Sequence, residues 1–227
     1  MDADTVERTF CFVDLAGFTA LTEAHGDLDA VDLLDRFATL TRESLSSADE
    51  LVKTIGDAVM LTSPSPEAGV AVLASLLERC SEANGFPLLR AGAHHGPAVR
   101  RGGDYLGAAV NLAARVAGHA GGGQVLATTA VADAARTRGI DVTRLGSRRL
   151  RNLTQPVELF EIRLGGDERS GTIDPVCRMR VEPEHAPGSL SHAGQRFWFC
   201  SVSCVAAFAA DPDRYLAAVN PTEGGRR

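Results

Sequence analysis

The sequence contains no apolar run that approaches the roughly 20 residues needed to span a bilayer. Its opening residues, MDADTVERTF, also lack the basic and apolar regions of a secretory signal peptide. These two absences argue against a membrane partner and against secretion. They predict a cytoplasmic protein whose cysteines stay reduced.

Positive charge is also in short supply. The chain has 23 lysines and arginines against 29 aspartates and glutamates, which gives a formal net charge of -6. A nucleic-acid-binding domain needs a basic face to meet the phosphate backbone, so this balance predicts no nucleic-acid partner. The 227 residues are 44% apolar, which is enough for a packed core.

Two acidic motifs stand at the ends of short apolar, β-prone runs. The first, FVDLAGFT, ends a predicted strand on Asp14 and continues into a glycine turn. The second, VKTIGDAVML, joins two β-prone runs at Gly56 and Asp57, which predicts a hairpin with an acid at its tip. Mg²⁺ prefers one or two carboxylates together with substrate phosphates, so the two acids suit a divalent cation bound with a triphosphate.

A third motif, GDYLGAAVNLAAR, begins at Gly103 and combines Asp104 with a helix-competent run after Gly107. Asn111 and Arg115 stand four residues apart and therefore share one face of the predicted helix. The arginine presents a planar fork of donors suited to phosphate oxygens, and the asparagine suits a ribose hydroxyl.

Together the three motifs resemble the catalytic domain of class III nucleotidyl cyclases, the adenylate and guanylate cyclases. The resemblance extends from about Arg8 to Arg163 and is greatest to the compact bacterial subgroup called class IIIc. It implies an α+β fold, in which helices pack on a ferredoxin-like mixed sheet. We place this cyclase domain at residues 1–165.

The resemblance also implies a role for each acidic motif. Asp14 and Asp57 match the two aspartates that bind two Mg²⁺ or Mn²⁺ ions in the family. The backbone N–H groups around Gly17, Phe18 and Thr19 match the loop that binds the β- and γ-phosphates.

Asn111 and Arg115 match the pair that stabilises the transition state, and in the family this pair comes from the opposite subunit. The resemblance therefore implies a homodimer with shared active sites. It also implies the reaction, in which the ribose 3′-hydroxyl of ATP attacks the α-phosphate. The products are pyrophosphate and 3′,5′-cyclic AMP.

Lys53 and Asp104 match the pair that reads the purine base. In guanylate cyclases of this family, glutamate usually stands in place of Lys53, and cysteine or another residue in place of Asp104. A lysine that donates to adenine N1 and a carboxylate that accepts from the N6 amine meet unfavourable partners on guanine. The pair therefore predicts ATP as the substrate.

A binding protein is the competing interpretation. A cyclase fold can persist as a catalytically weak scaffold, which here would act as a metal- or redox-sensing binding protein. ATP binding without cyclic AMP formation would favour that alternative. The presence of all six polar residues favours the enzyme, because such scaffolds normally lose at least one of them.

Beyond the cyclase-like region, residues 166–173 are polar and glycine-rich, which predicts a linker between two independently folding parts. Residues 174–220 then resemble the YHS domain, a small metal-binding α+β module. The resemblance rests on the segments DPVCRM, FWFCSVSC and DPDRY. Arg178 stands where that family usually has glycine.

Three cysteines in this module are candidate metal ligands. Cys200 ends a predicted strand and Cys204 lies one turn into the next helix, near a positive helix terminus that favours thiolate. With Cys177 they suit Zn²⁺, Cu⁺ or another soft metal, and His192, His185 or solvent would be the fourth ligand. Alternatively all three are small buried hydrophobes, but a module of ~45 residues rarely folds without a staple.

Hydrophobic periodicity predicts the remaining elements. Helices are expected at about 28–47, 67–82, 107–119 and 129–137, and strands at 8–14, 51–62 as a hairpin, 88–95, 124–128, 142–149 and 157–163. Leu28, Val31, Leu34 and Phe37 recur at helical spacing and are predicted to face the core.

Overall fold

The computed structural model describes residues 4–83, 85–164 and 171–217. Most of this part of the chain is one mixed sheet with helices on both faces. The sheet contains the strands β1 (Asp4–Leu15), β2 (Glu50–Ile55), β3 (Ala58–Ser63), β4 (Leu89–Arg101), β5 (Asp104–Leu106), β6 (Val125–Ala127), β7 (Val142–Arg148) and β8 (Val157–Ile162). The helices against it are α1 (Phe18–His25), α2 (Asp27–Glu43), α3 (Pro66–Glu82), α4 (Ala108–Ala117) and α5 (Thr129–Thr137).

The strand order is β2-β3-β1-β4-β6-β8-β7, and β5 pairs with the far end of β4. These pairs are antiparallel except β4 with β6, which run parallel. This arrangement confirms the predicted α+β mixed sheet. Because β1 lies between β3 and β4, Asp14 at its end has Ala58 and Arg90 as cross-strand neighbours.

The structure differs from the predicted elements in three places. Helix α1, which fills the stretch between the first strand and the next helix, and the short strand β5 were not predicted. In α2, Leu28 is 84% exposed and Val31 is 54% exposed, so their assignment to the core was wrong. The buried stripe of α2 runs instead through Ala30, Leu33, Phe37 and Thr41, at the same helical spacing but on a neighbouring face.

Side chains alternate between the two faces of β1. Cys11, Val13 and Leu15 face the core shared with α1, α2 and α3. Phe10 faces the smaller cluster formed with α4 and with Tyr105 of β5. By this alternation Asp14 points to the same face of the sheet as Phe10. The carboxylate near the end of β1 therefore lies on the side of the sheet that α4 covers.

Helix α4 lies directly on β4 at Gly92. A Cβ built on Gly92 would overlap the backbone nitrogen of Ala117 and would lie 2.6 Å from the backbone carbon of Val116. Backbone atoms inside a helix cannot move aside as a flexible side chain can. The absence of a side chain at this position therefore sets how closely α4 approaches the sheet.

We expect Gly92→Ala to destabilise the fold by about 3 kcal/mol or more, the upper end of overpacking costs. The free energy of unfolding should be measured by urea denaturation at unchanged m-value. Gly118→Ala is the matched control, because Gly118 has helical φ and its added Cβ would meet nothing nearer than 3.5 Å. Equal stability of the two variants would contradict this account of the α4 contact.

The C-terminal module consists of two small sheets and two helices in the described residues. Its elements are β9 (Thr172–Ile173) paired with β10 (Arg180–Val181), β11 (Gly188–His192) paired with β12 (Gln195–Phe199), α6 (Val202–Ala210) and α7 (Pro212–Ala217). The predicted linker at 166–173 lies mostly outside the described residues, as do residues 218–220 of the predicted module.

The C-terminal module is packed against the cyclase-like part. Phe199 and Phe208 belong to the same buried cluster as the residues of β1 and α3. The backbone N–H of Leu88 donates to the carbonyl of Arg178 at 3.0 Å, next to an isolated bridge between Pro87 and Met179. Removing the module would therefore expose apolar surface of the larger part.

Across the described ranges, each helix is too short or too polar to cross a membrane.

Candidate active site

Asp14 and Asp57 meet where β1 ends beside the β2–β3 turn. The backbone N–H of Leu15 donates to the carbonyl of Asp57 at 3.4 Å, which ties the turn to the end of β1. Burial and the negative charge of Asp14 raise the pKa of Asp57. In the described residues, Oδ1 of Asp14 is buried and accepts no hydrogen bond.

This pocket fits a divalent cation. Two neighbouring carboxylates repel each other, and one buried carboxylate oxygen has no partner. A hard cation relieves both conditions, and carboxylate oxygens are the ligands that Mg²⁺ prefers.

Arg90, which the sequence analysis missed, is the cation that the structure places beside Asp14. Its Nε donates to Oδ2 of Asp14 at 2.6 Å, and its Nη2 contacts the same oxygen. The signal for this pair is the register of β1 on β4, in which Arg90 lies directly opposite Asp14. Arg90 thereby neutralises one of the two acids while Oδ1 of Asp14 stays free.

Lys53 and Asp104, the predicted base-reading pair, are in direct contact. Nζ of Lys53 donates to Oδ2 of Asp104 at 2.6 Å. This hydrogen bond lowers the pKa of Asp104, so the carboxylate stays ionised. The β2 register shifts between Leu51 and Lys53, and such a bulge changes the direction of the side chains that follow it.

The short strand β5, at the far end of β4, is held in place by Tyr105. The ring of Tyr105 packs edge-on against Phe10 with centroids 5.6 Å apart, and its hydroxyl donates to the carboxylate of Glu50 at 3.1 Å. The backbone N–H of Tyr105 also donates to Oδ1 of Asp104 at 2.8 Å. These contacts fix the position of Asp104 beside Lys53, from which it is separated by 51 residues in the sequence.

The predicted phosphate loop leads into α1. Gly17 has φ +77°, a left-handed conformation that favours glycine, and it immediately precedes the first helical residue. Gly17 and Thr19 are exposed, and Phe18 is half-buried. The first N–H groups of a helix have no intrahelical acceptor, so this loop presents donors to solvent next to Asp14.

Asn111 and Arg115 lie on α4, one exposed and the other partly exposed. Among the described residues, no hydrogen bond or ion pair joins either of them to the two pairs Asp14/Asp57 and Lys53/Asp104. The single chain therefore brings Asp14 to Asp57 and Lys53 to Asp104, and leaves the Asn111 amide and the Arg115 guanidinium without a hydrogen bond to either pair.

Cys177, Cys200 and Cys204 converge as predicted. Sγ of Cys200 lies 3.2 Å from Sγ of Cys177 and 3.8 Å from Sγ of Cys204. Hydrogen bonds from the Cys177 and Cys200 thiols lower the pKa of Cys204, which favours a thiolate there. Cys177 and Cys204 are fully buried.

The histidine beside these sulfurs is His25, the last residue of α1, and it was not expected. Of the two histidines considered for this position, His185 is paired with Glu182, and His192 packs edge-on against Phe208. The sequence holds no signal for His25, because it belongs to a helix that the periodicity did not reveal.

A cleft of about 1370 Å³ is lined partly by the C-terminal module and partly by α1, α2 and α3. Its walls include Leu21, His25, Phe86, Met179 and Cys200. The six motif residues are absent from its described walls, so this cleft is not the candidate catalytic pocket.

Comparison with protein families finds two matches. The model of the adenylate and guanylate cyclase catalytic domain matches residues 3–163, and the YHS domain model matches residues 172–219.

Among individual relatives, one matches the cyclase part of the chain and another matches the C-terminal module. A pH-sensitive adenylate cyclase of Mycobacterium tuberculosis is 40% identical over 161 residues, which are 69% of this chain and 41% of that protein. A copper-transporting P-type ATPase of Rhizobium leguminosarum bv. viciae is 47% identical over 45 residues, 20% of this chain and 5% of the transporter. The chain thus spans less than half the length of either relative.

Among solved structures, the adenylyl cyclase CyaB of P. aeruginosa superposes with a TM-score of 0.62 at 20% identity. The match covers 74% of this chain and 98% of that one. At this identity the likeness supports the fold of the larger part.

Proposed function

The chain belongs to the family of adenylate and guanylate cyclase catalytic domains, and we propose that it is an adenylate cyclase that converts ATP to 3′,5′-cyclic AMP and pyrophosphate. The cyclase domain would comprise residues 1–165, with a linker at 166–173 and a YHS domain at 174–220. The observation that carries the substrate assignment is the direct contact of Lys53 with Asp104.

The purine is read by that pair. The Lys53 ammonium donates to adenine N1, and the ionised Asp104 accepts from the N6 amine. Guanine has a protonated N1 and an O6 acceptor, so each partner would face a group of its own kind. A site built to make these hydrogen bonds rejects guanine, because the Lys53 donor and the Asp104 acceptor would each be left without a partner on the base.

The reacting end of the nucleotide is held by the end of β1 and the start of α1. Asp14 and Asp57 would hold Mg²⁺ or Mn²⁺, which when bound supplies charge stabilisation to the phosphate oxygens. The backbone N–H groups at Gly17, Phe18 and Thr19 would bind the terminal phosphates. Arg90 can stay on Oδ2 of Asp14 while the ion binds Oδ1, which accepts no hydrogen bond among the described residues.

Asn111 and Arg115 are proposed to act in trans. Both project outward from α4 in the single chain, which suits a homodimer in which α4 of one subunit faces the acids of the other. Asn111 would orient the ribose, and Arg115 would meet the charge that develops on the α-phosphate.

The decisive experiment is an assay of the purified protein with ATP or GTP, each with Mg²⁺ and with Mn²⁺. Chromatographic identification should find cyclic AMP and pyrophosphate in equal amounts. Binding of ATP without product would instead support a scaffold with a sensing role.

We expect Lys53→Glu combined with Asp104→Cys to reduce kcat/KM for ATP at least about tenfold and to raise relative use of GTP, because both changes reverse the hydrogen-bond pattern for the base. Arg101→Gln is a charge-matched control, because it lowers the net charge by one as the double variant does, and Arg101 is exposed at the end of β4 near Asp104. The ratio of kcat/KM for the two nucleotides is the measurement. An unchanged ratio would show that these residues do not read the purine.

The C-terminal module is proposed to bind a soft metal and to regulate the cyclase. Three cysteines that converge on one point suit Zn²⁺ or Cu⁺. Because the relative that matches this module is named a copper transporter, Cu⁺ should be tested beside Zn²⁺.

A further inference from the structure

His25, which belongs to the cyclase-like part, lies beside the three cysteines of the C-terminal module and offers a fourth metal ligand. Its Nε2 lies 3.5 Å from Sγ of Cys200 and 3.5 Å from Sγ of Cys204, although 175 residues separate His25 from Cys200. The four ligand atoms, including Sγ of Cys177, all lie within 4.8 Å of one another. Three sulfurs and one imidazole nitrogen form a donor set found in structural zinc sites.

Three of the four ligand separations compared below match the edges of a tetrahedron around one ion. With metal–sulfur bonds of about 2.3 Å and metal–nitrogen bonds of about 2.0–2.1 Å, a tetrahedral site has S···S edges of about 3.8 Å and S···N edges of about 3.6 Å. The observed 3.8 Å between Cys200 and Cys204 and both 3.5 Å distances to His25 match these values. The 3.2 Å between Cys177 and Cys200 would lengthen by about 0.6 Å to reach the same edge.

Buried polar contacts hold the segments that carry the cysteines. The carboxylate of the fully buried Asp174 accepts from the backbone N–H of Val176 and from that of Cys200, each at 2.8 Å. Ser201 caps α6 and accepts from the N–H of Cys204 at 3.1 Å. Such outer contacts preorganise the ligands before an ion arrives.

The cluster also has a route to solvent. His25 and Cys200 line the large cleft, whereas Cys177 and Cys204 are buried behind them. An ion can therefore arrive from the cleft and become enclosed on its far side by two sulfurs.

Helix α1 contacts the C-terminal module at both of its ends. His25 ends the helix beside the sulfurs, and Gly17 precedes its first residue. A Cβ built on Gly17 would lie 2.7 Å from Cγ of Arg178, the residue that follows Cys177. The segment 177–178 thus contacts the phosphate loop, while Cys177 belongs to the cluster at the other end of α1.

We propose that His25 completes a Cys3His site for one Zn²⁺ or Cu⁺ ion per chain, and that loading this site fixes α1 together with the Gly17 loop at its start. The inference deepens the proposed metal-binding role of the C-terminal module. It does not depend on cyclase activity. The ion joins the helix that carries the phosphate loop to the module that packs against it.

The first test is metal affinity in chelator competition, with Zn²⁺ or Cu⁺ added to reduced, full-length protein. Wild type should bind one ion per chain. His25→Ala should weaken binding by at least about 100-fold, because loss of a direct ligand should exceed the 10–100-fold typical of outer contacts. His185→Ala and His192→Ala are the matched controls and should bind as wild type does.

X-ray absorption on the loaded protein tests the ligand set even if the His25→Ala variant fails to fold. The double variant His185→Ala/His192→Ala should retain three sulfurs and the outer-shell scattering of one imidazole. His25→Cys should restore tight binding with four sulfurs. Metal bound without imidazole scattering, or with equal affinity in His25→Ala, would overturn the role of His25 while leaving a three-cysteine site.

Hydrogen exchange tests the effect on α1. A peptide covering residues 14–27 should exchange more slowly in the loaded protein than in the metal-free protein, while a peptide covering β8 should not change. Unchanged exchange at 14–27 would overturn the link to the phosphate loop. A reduced wild-type protein that takes up neither ion would remove the metal site altogether.

Discussion

An Asp57→Ala variant is expected to lose at least about 10³-fold in turnover of ATP, equivalent to about 4 kcal/mol of transition-state stabilisation. Asp14→Ala should have an effect of the same order. The two carboxylates form one pocket, in which burial and the charge of Asp14 raise the pKa of Asp57. Removing either acid leaves too few ligands for the cation on which the proposed reaction depends.

Stability measurements distinguish lost chemistry from lost folding. Because the pKa of Asp57 is raised in the folded protein, its ionised carboxylate destabilises the folded state when the pH is above that pKa. The neutral variant Asp57→Asn should therefore melt no lower than wild type in metal-free buffer at pH 7. Asp14→Ala leaves Arg90 without its partner, so its Tm is expected to fall.

Asp35→Ala is the matched control for both activity and stability, because Asp35 is an exposed carboxylate on α2. Its turnover should equal that of wild type. Near-normal turnover in both Asp14→Ala and Asp57→Ala would contradict the assignment of this pocket.

Mixing two inactive variants should restore activity if the active site is shared between subunits. Asp57→Ala lacks an acid and Arg115→Ala lacks the guanidinium, so each homodimer has two defective sites. A heterodimer has one site with both defects and one intact site. After equimolar mixing with free exchange, turnover should reach about a quarter of the wild-type value, since half of the dimers carry one good site of two.

The control is a mixture of Asp14→Ala with Asp57→Ala. Both changes lie in the same half of the site, so no intact site can form and turnover should stay near zero. Differently tagged subunits and native mass spectrometry should confirm that heterodimers are present. Confirmed Asp57→Ala/Arg115→Ala heterodimers without activity would indicate a site contained within one chain.

The sequence by itself determined the larger helices and strands and the polar residues at their ends and turns. Asp14 and Asp57 follow β-prone runs, and the structure places them at a strand end and in a hairpin turn as predicted. Asn111 and Arg115 share one helix because their spacing equals about one turn. Local patterns suffice here, because a strand end, a turn and a helical face are defined by residues a few positions apart.

The sequence also identified Cys177, Cys200 and Cys204 as a set, since Cys200 and Cys204 flank the start of one helix. It was less informative about which helical face is buried. In α2 the stripes through Leu28 and through Ala30 have the same period, and only contact with the sheet selects between them.

Tertiary structure alone decided the pairings that join distant segments. Arg90 reaches Asp14 because β4 pairs with β1 in one register, and a shift of one residue would turn it to the opposite face. His25 reaches Cys200 because the C-terminal module packs on α1 and not away from it. Neither contact has a local sequence signal, because strand register and module packing depend on burial summed over the whole core.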